Sequence, residues 1–355
     1  MKAKQIVRCI VFMSLVVLLV GCLCRLFKAD NNWTSRRFVT FRSLKPDTID
    51  GLYIGSSAVD RYWNCAQGFE EYGLTIYPVA ADGSPAWAVK PLIEEALNYQ
   101  KAKLIIIDIR AFTINVRSDS FMAMARTADV LPFYSLPRWK IVAETEKIMH
   151  EKDSDANKLF DINYYLSVGQ FHAKWADDGF SLNEFKEEPS DTLGFFAEKR
   201  SLKTLSKSDL KKMKAFQQSE LFADLDPVME KSLSDLIEFI KERNLTVLFI
   251  DSPHYMSEES SARVNTIKKM LSDQGFDCLQ IFGNDMGEYS LDPASDYYNL
   301  KHVNYYGSVK YTRFLSEYLL DKYDFWTDHR LDADTGDFDG VLDHIKEKIA
   351  AMEKK

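Results

Sequence analysis

The sequence is poor in glycine, proline and cysteine, and its charge does not have the sign that nucleic acid attracts. Of 355 residues, 15 are glycine, 10 are proline and 5 are cysteine. These low glycine and proline contents exclude collagen-like and low-complexity chains, and five cysteines are too few for a disulfide scaffold of this length. The net charge of −8 argues against a nucleic-acid partner, because such proteins usually carry a basic excess. Hydrophobic residues make up 46% of the chain, which suffices for a sizeable core.

The N-terminus has the pattern of a membrane anchor. A basic stretch precedes an uncharged run from Cys9 to Cys24, and basic residues follow the run. A membrane-spanning helix needs about 20 apolar residues, with a lower limit of about 17. We therefore expect residues 1–28 to be an uncleaved signal anchor that crosses the cytoplasmic membrane through residues 6–24. The expected location is the cell membrane, with a single span and an extracytoplasmic C-terminal domain.

Two other interpretations of this segment stay open. Leu19-Val20-Gly21-Cys22 resembles a bacterial lipobox, which would make the protein a lipoprotein attached through Cys22 after cleavage. The segment could also be a buried core helix of a soluble protein. The anchor and the lipoprotein both put the residues after about 30 outside the cytoplasmic membrane and tether them to it.

Buried strands alternate with amphipathic helices along most of the chain. Short apolar runs typical of parallel strands occur at residues 51–55, 73–80, 104–109, 245–251 and 278–282. Helical spacing of apolar residues occurs at residues 91–99, 233–240, 262–271 and 307–320. This alternation predicts an α/β fold with three α/β/α layers and a mostly parallel sheet.

The composition also predicts the limits of the domains. Residues 29–48 are polar without a periodic apolar face, which indicates a stalk. The α/β domain would span residues 49–330, with a mainly helical, aromatic-rich insertion at about 113–230. Residues 331–355 form a charged C-terminal tail that is either solvated or a short amphipathic helix.

Three features point to chemistry at the carboxyl edge of the predicted sheet, where such folds place reactive groups. Ser57 follows the first strand, at a turn into a helix whose N–H groups would favour a developing oxyanion. Gly83 follows the second strand and can bring its N–H close to a substrate oxygen. His302 precedes the last predicted helix of the α/β domain, where it could act as a general base. Each feature alone is also explained by ordinary turn or core chemistry.

The order of these features resembles the SGNH (GDSL-type) hydrolase superfamily. The first block of that superfamily, Gly-Asp-Ser, corresponds to Gly55-Ser56-Ser57, and its last block, Asp-x-x-His, corresponds to Asn299-Leu300-Lys301-His302. The Gly-Ser-Ser form is also similar to the D-alanine transfer family of teichoic-acid D-alanylation and to related membrane-anchored bacterial proteins. The resemblance covers about residues 50–112 and 245–325.

The resemblance implies a serine esterase or O-acyltransferase, and the expected tether outside the membrane favours esters of a cell-surface or exported polysaccharide or polyol. Ser57 would be the nucleophile, His302 its base and Asn299 the group that orients the imidazole. The N–H groups of Ser57 and Gly83 would hold the oxyanion. We expect no cofactor and no metal. The expected partners are a glycan or polyol acceptor and a membrane-bound acyl-transfer protein.

The chain also departs from the superfamily pattern. After the third strand it has Asp108-Ile109-Arg110 instead of a Gly-x-Asn-Asp block, so the usual asparagine donor to the oxyanion is missing. Asn299 cannot stabilise an imidazolium by charge, although Asp296 offers a carboxylate three residues earlier. A slow enzyme and an inactive homologue therefore both remain open.

Four residues are candidates for substrate binding. Arg110 could hold a carboxylate or phosphate, or could pair with a protein carboxylate. His254 follows a predicted strand on the same edge. His172 and Trp175 lie in the insertion, where Phe171-His172-Ala173-Lys174-Trp175 resembles a His-x-x-Trp element of anchored relatives.

Two other function classes compete with the enzyme. The first is a catalytically inactive binding or accessory protein of cell-envelope assembly, which the substitutions at Ser56 and Asn299 favour. The second is a metal-dependent hydrolase built on His172, His254, His302 and nearby aspartates, although no H-E-x-x-H or similar spacing occurs. A dinucleotide enzyme is not expected, because no G-x-G-x-x-G follows the first strand.

Overall fold

The centre of the protein is a parallel five-stranded sheet. A computed structural model describes residues 3–27, 32–116, 120–152, 162–166, 168–169 and 188–354. The strands have the order β2-β1-β3-β4-β5, and a separate antiparallel pair, β6-β7, follows them. The predicted α/β class and the parallel sheet are confirmed. The strands are β1 Gly51–Gly55, β2 Ile76–Ala80, β3 Leu104–Asp108, β4 Val247–Asp251, β5 Cys278–Gln280, β6 Tyr297–Asn299 and β7 His302–Val303.

Helices connect the strands and cover the sheet in two groups. Helices α3 and α4 both contact α12 and β2, whereas α5 packs on β1 and contacts α7 and α10. The helices are α1 Ala3–Leu26, α2 Asn32–Ser43, α3 Ser57–Tyr62, α4 Cys65–Tyr72, α5 Val89–Ala96, α6 Ser120–Ala128, α7 Leu136–Lys152, α8 Ile162–Tyr165, α9 Lys207–Ala215, α10 Pro227–Glu242, α11 Glu258–Asp273, α12 Tyr305–Lys322 and α13 Val341–Glu353.

The central strands are apolar because both faces of the sheet are covered. All five residues of β1, β2 and β3 are buried, as expected for parallel strands between helices. Tyr53 in β1 reaches α12, where its hydroxyl lies 2.9 Å from that of Tyr311. The pairing of β1 with both β2 and β3 brings the carboxyl ends of three strands side by side.

Helix α1 matches the predicted apolar anchor. It has 24 residues and a mean hydropathy of 2.7 in its most apolar window, which is not buried in the protein. At about 1.5 Å per residue, such a helix is long enough to cross a membrane. The exposed side chains of α1 exclude the interpretation that this segment is a buried core helix.

The segment predicted to be a stalk is instead partly a packed helix. Helix α2 contacts β2, and Phe38 and Phe41 on it are buried. The prediction was wrong because the buried side of α2 also contains charge. Arg37 is fully buried and forms an ion pair with Asp60, so an apolar periodicity could not reveal this side.

The insertion and the C-terminal segment are both helical where they are described. Between β3 and β4, the described residues form helices, turns and irregular segments without a strand. At the C-terminus, α13 buries Leu342, Ile345 and Ile349 and contacts α4. Of the two interpretations of residues 331–355, the structure therefore favours the amphipathic helix.

Candidate functional site

Ser57 and His302 meet at the carboxyl edge of the sheet. The Oγ atom of Ser57 lies 2.9 Å from Nε2 of His302, within the hydrogen-bonding range of a nucleophile and its base. Asn299 Oδ1 is 3.1 Å from Nδ1 of the same ring. The three residues thus form a continuous Ser-His-Asn chain of hydrogen bonds.

The contacts of Asn299 determine which imidazole nitrogen carries the proton. Its Oδ1 atom accepts the backbone N–H of Lys301 at 2.8 Å, which identifies that atom as the carbonyl oxygen of the amide. An amide oxygen only accepts hydrogen bonds, so Nδ1 of His302 must be the donor. The lone pair of the neutral ring is then on Nε2, facing the hydroxyl of Ser57, as a general base requires.

Local structure explains how the Gly55-Ser56-Ser57 motif and the Asn299-x-x-His302 motif form the site. Ser57 is the first residue of α3 and follows β1 after a single residue. A side chain at Gly55 would come within 3.1 Å of the Asp108 Cβ, so glycine lets the ends of β1 and β3 approach. Strands β6 and β7 form a hairpin in which Asn299 pairs with His302 across a two-residue turn. This hairpin is the reason that an Asn-x-x-His spacing brings the amide to the imidazole.

Arg61 is the main site residue that the sequence analysis missed. Its guanidinium forms a bidentate pair with Asp82, at 2.8 and 2.9 Å. It also donates to the Ser57 carbonyl at 3.2 Å and to the Tyr298 hydroxyl at 2.9 Å. The only sequence signal was its position one helical turn after Ser57, which places both residues on the same side of α3.

Tyr298 and the surrounding cations determine the environment of the base. The ring of Tyr298 stacks on the imidazole of His302, with a centroid distance of 5.5 Å and an angle of 11° between planes. Burial lowers the pKa of His302 well below its usual value, and the charges of Arg61 and Arg110 lower it further. His302 is therefore neutral at neutral pH and is able to accept a proton.

The two backbone N–H groups predicted to bind the oxyanion have no protein acceptor among the described residues. Within the described part of the chain, neither Ser57 N nor Gly83 N donates to a protein acceptor. Gly83 lies in the turn after β2, the strand next to β1, and has a φ of 71°, a conformation that favours glycine. Their role as oxyanion donors stays a prediction.

Arg110 is held by protein groups, which favours the second of its two interpretations, because its Nε lies 3.9 Å from Asp108 Oδ1. Its Nη1 donates to the Lys301 carbonyl at 2.6 Å, and its Nη2 donates to the Ser252 carbonyl at 3.2 Å. The guanidinium also lies over the ring of Tyr62, at 4.8 Å. A buried arginine needs such acceptors, and these bonds fix the backbone just before His302.

His254 borders a cavity at the same edge of the sheet. Its Nδ1 atom is 2.8 Å from the Ser252 carbonyl oxygen, and burial followed by the charge of Arg110 lowers the pKa of His254. The cavity has a volume of about 300 Å³ and its wall includes Asp251. Burial and the nearby Asp108 raise the pKa of Asp251 to about 7. Whether His254 binds substrate stays a prediction.

The remaining candidates lie elsewhere or outside the described residues. The carboxylate of Asp296 pairs with Lys310 at 2.6 Å, so the group beside His302 is Asn299. His172 and Trp175 lie outside the described residues. Among the residues that the structure describes, no group of three or more His, Cys, Asp or Glu side chains is arranged to hold a metal ion.

Comparisons with known proteins do not assign the chain to a family. The sequence matches no model of a protein family and no curated protein.

Proposed function

We propose that the protein is a membrane-anchored serine esterase or O-acyltransferase with an SGNH-like three-layer fold. The observation that carries this proposal is the 2.9 Å contact between Ser57 Oγ and His302 Nε2. The two residues are 245 positions apart, so their contact comes from the fold and not from their proximity in the sequence. The hydrogen bond from Nδ1 to Asn299 supports the same chemistry, because it keeps the basic nitrogen towards the hydroxyl.

The proposed reaction has two steps. In the first, Ser57 Oγ attacks the carbonyl carbon of an ester while His302 Nε2 takes the hydroxyl proton. The ester C–O bond then breaks, and His302 returns the proton to the departing alkoxide, which leaves an acyl group on Ser57. In the second step, water or an acceptor hydroxyl gives its proton to His302 and attacks the acyl carbon. The bond between the acyl carbon and Ser57 Oγ then breaks, and His302 returns the proton to the serine oxygen.

The amide in place of a carboxylate makes this a weak variant of such a site. Asn299 orients the ring but provides no negative charge for the imidazolium that forms during each step. The nearby cations Arg61 and Arg110 also disfavour a charged His302. In a well-studied serine protease, replacing the aspartate of the catalytic triad by asparagine lowers kcat about 10⁴-fold. We therefore expect slow turnover and reaction with activated esters.

The proposed location is the outer side of the cytoplasmic membrane, with α1 as the anchor. A tethered catalytic domain favours an acceptor that reaches it, such as a surface or exported polysaccharide or polyol, with a membrane-bound acyl-transfer protein as donor. A C-terminal alkaline phosphatase fusion tests this orientation. Phosphatase activity in intact cells is expected, whereas activity of a C-terminal cytoplasmic reporter would contradict the proposal.

A fluorophosphonate probe tests the chemistry directly. The probe forms a covalent bond with an activated serine, so full-length protein in neutral detergent should be labelled. Ser57→Ala should abolish the label and His302→Gln should reduce it strongly. Ser56→Ala is a matched control, because the Ser56 side chain makes no capping hydrogen bond, and it should be labelled normally. Equal labelling of Ser57→Ala and wild type would refute the assignment.

The substitution at Asn299 also supports a second candidate function. A catalytically inactive protein could keep the fold and bind an envelope component without turnover. Folded wild-type protein that takes no label between pH 6 and pH 9 would favour this accessory role. Mass spectrometry of the intact protein after incubation with an activated ester distinguishes the two, because only an active Ser57 gains the acyl mass.

A further inference from the structure

Four exposed cations lie on segments that contact the candidate site. We call Lys199, Arg200, Lys203 and Lys301 the basic rim. All four are exposed, and their side chains make no hydrogen bond or ion pair with the described residues. This grouping contrasts with the net charge of −8 for the whole protein.

A chain of side-chain contacts links Arg200 to the serine. The Arg200 guanidinium lies over the ring of Phe196 at 4.4 Å, and the Arg61 guanidinium lies over the same ring at 4.3 Å. Arg61 in turn donates to the Ser57 carbonyl. The path from Arg200 to the proposed nucleophile therefore passes through two side chains, and stacking on an aromatic ring holds the arginine in position.

Contacts also place the rest of the rim beside His302. The short helix Lys199–Leu202 contacts β6, the strand that contains Asn299. The Lys203 carbonyl accepts a hydrogen bond from Asn304, at 3.2 Å. Lys301 directly precedes His302, and its backbone carbonyl is fixed by Arg110.

The buried carboxylates of Asp60 and Asp82 do not neutralise the charges of the basic rim. Arg37 and Arg61 pair with Asp60 and Asp82, so these four groups balance. Burial would raise the pKa of Asp82, but Arg61, Arg37 and Arg200 together lower it, so the Asp82 carboxylate is ionised and already paired. Glu198 is the acidic residue next to the Lys199–Lys203 segment, which leaves a positive excess.

We propose that the basic rim binds a polyanionic glycan and thereby selects acidic polymers as substrates or acceptors. This inference rests on the proposed function, because it treats the surface beside Ser57 as the entrance for substrate. Guanidinium and ammonium groups bind carboxylate and phosphate oxygens. A cationic entrance also raises the local concentration of an anionic chain and is sensitive to salt.

Protection from labelling tests the inference at the site. Full-length protein in neutral detergent is treated with a neutral fluorophosphonate, alone or with polygalacturonate, dextran or vesicles rich in phosphatidylglycerol. Polygalacturonate should slow the labelling of Ser57 at low salt, and 0.5 M NaCl should reverse the effect. Equal protection by dextran, or protection by the anionic vesicles alone, would overturn the proposal.

Variants connect the effect to the rim. For each variant, the rate with polymer is divided by its own rate without polymer. Arg200→Gln combined with Lys203→Gln should remove the protection. The combined variant should also weaken binding of fluorescein-labelled polygalacturonate by at least about fivefold, since each cation near an anionic surface contributes appreciably. Lys269→Gln, which changes an exposed lysine on α11, is the matched control and should retain both effects.

The two readouts separate failure of this inference from failure of the proposed function. Labelling of Ser57 without any binding of polygalacturonate would overturn the rim as a glycan site and leave the enzyme intact. Binding that depends on Arg200 in a protein that takes no label would overturn the enzyme and leave a glycan-binding protein. Binding that is equal in the double variant and in wild type would also overturn the role of the rim.

Discussion

Asn299→Asp should make His302 a stronger base and Ser57 a more reactive nucleophile. Asn299 Oδ1 lies 3.1 Å from His302 Nδ1 and also accepts the Lys301 N–H. Aspartate has almost the same shape and can keep both hydrogen bonds. The substitution therefore adds a negative charge beside the imidazole and leaves the geometry intact.

The distance sets the size of the expected effect. Two unit charges 3.1 Å apart attract each other by about 5 kcal/mol at an effective dielectric constant of about 20. The cost of burying the new carboxylate reduces this value, and an opposite charge at such a distance typically shifts a pKa by about one to three units. The pKa of His302 should rise accordingly, and labelling at pH 9 should become at least about tenfold faster.

Two measurements test this prediction. Nuclear magnetic resonance titration of the His302 ring gives its pKa in wild type and in Asn299→Asp, and fluorophosphonate labelling gives the rates. Asn299→Ala provides the opposite perturbation, because it removes the acceptor, and should slow labelling. An unchanged pKa of His302 in Asn299→Asp would refute the inferred contact. A raised pKa without faster labelling would refute its role in activating Ser57.

Three further predictions follow from the surroundings of the site. Arg61→Lys should slow labelling of Ser57 and lower the free energy of unfolding by about 2–4 kcal/mol in urea titrations, because lysine cannot pair with Asp82 and reach Tyr298 together. An unchanged labelling rate and an unchanged free energy of unfolding would contradict the role of Arg61 in positioning the site. Burial raises the pKa of Asp251 from 3.8 to about 7, so its contribution to stability falls as pH rises through that range. Asp251→Asn should accordingly stabilise the protein by about 2–3 kcal/mol more at pH 8 than at pH 5. An equal stabilisation at the two pH values would argue against a buried, protonated carboxyl. Burial lowers the pKa of His302 below 6.5, so the labelling rate of the wild type should stay level as the pH falls through 6.5. A fall in the labelling rate with a midpoint at or above pH 6.5 would indicate an exposed base.

The sequence determined the features that depend on local patterns. The continuous apolar runs gave the five parallel strands within a few residues, because a strand buried on both faces has no polar side. The length and composition of the N-terminal run gave α1. The small residues after the first strand pointed to Ser57. The position of His302 before a late helix, and the resemblance of Asn299-Leu300-Lys301-His302 to the Asp-x-x-His block, pointed to His302.

Only the tertiary structure decided how distant residues combine. The packing of the β6-β7 hairpin against α3 brings Ser57 and His302 together, and nothing local in the sequence encodes that packing. The buried charges of Arg37 and Arg61 were invisible to hydrophobic periodicity, because ion pairing with residues far along the chain makes their burial tolerable. The same holds for Arg110, whose backbone acceptors lie in two later segments. Local pattern thus indicates the apolar strands and the N-terminal helix, whereas the pairing of buried charge depends on the complete fold.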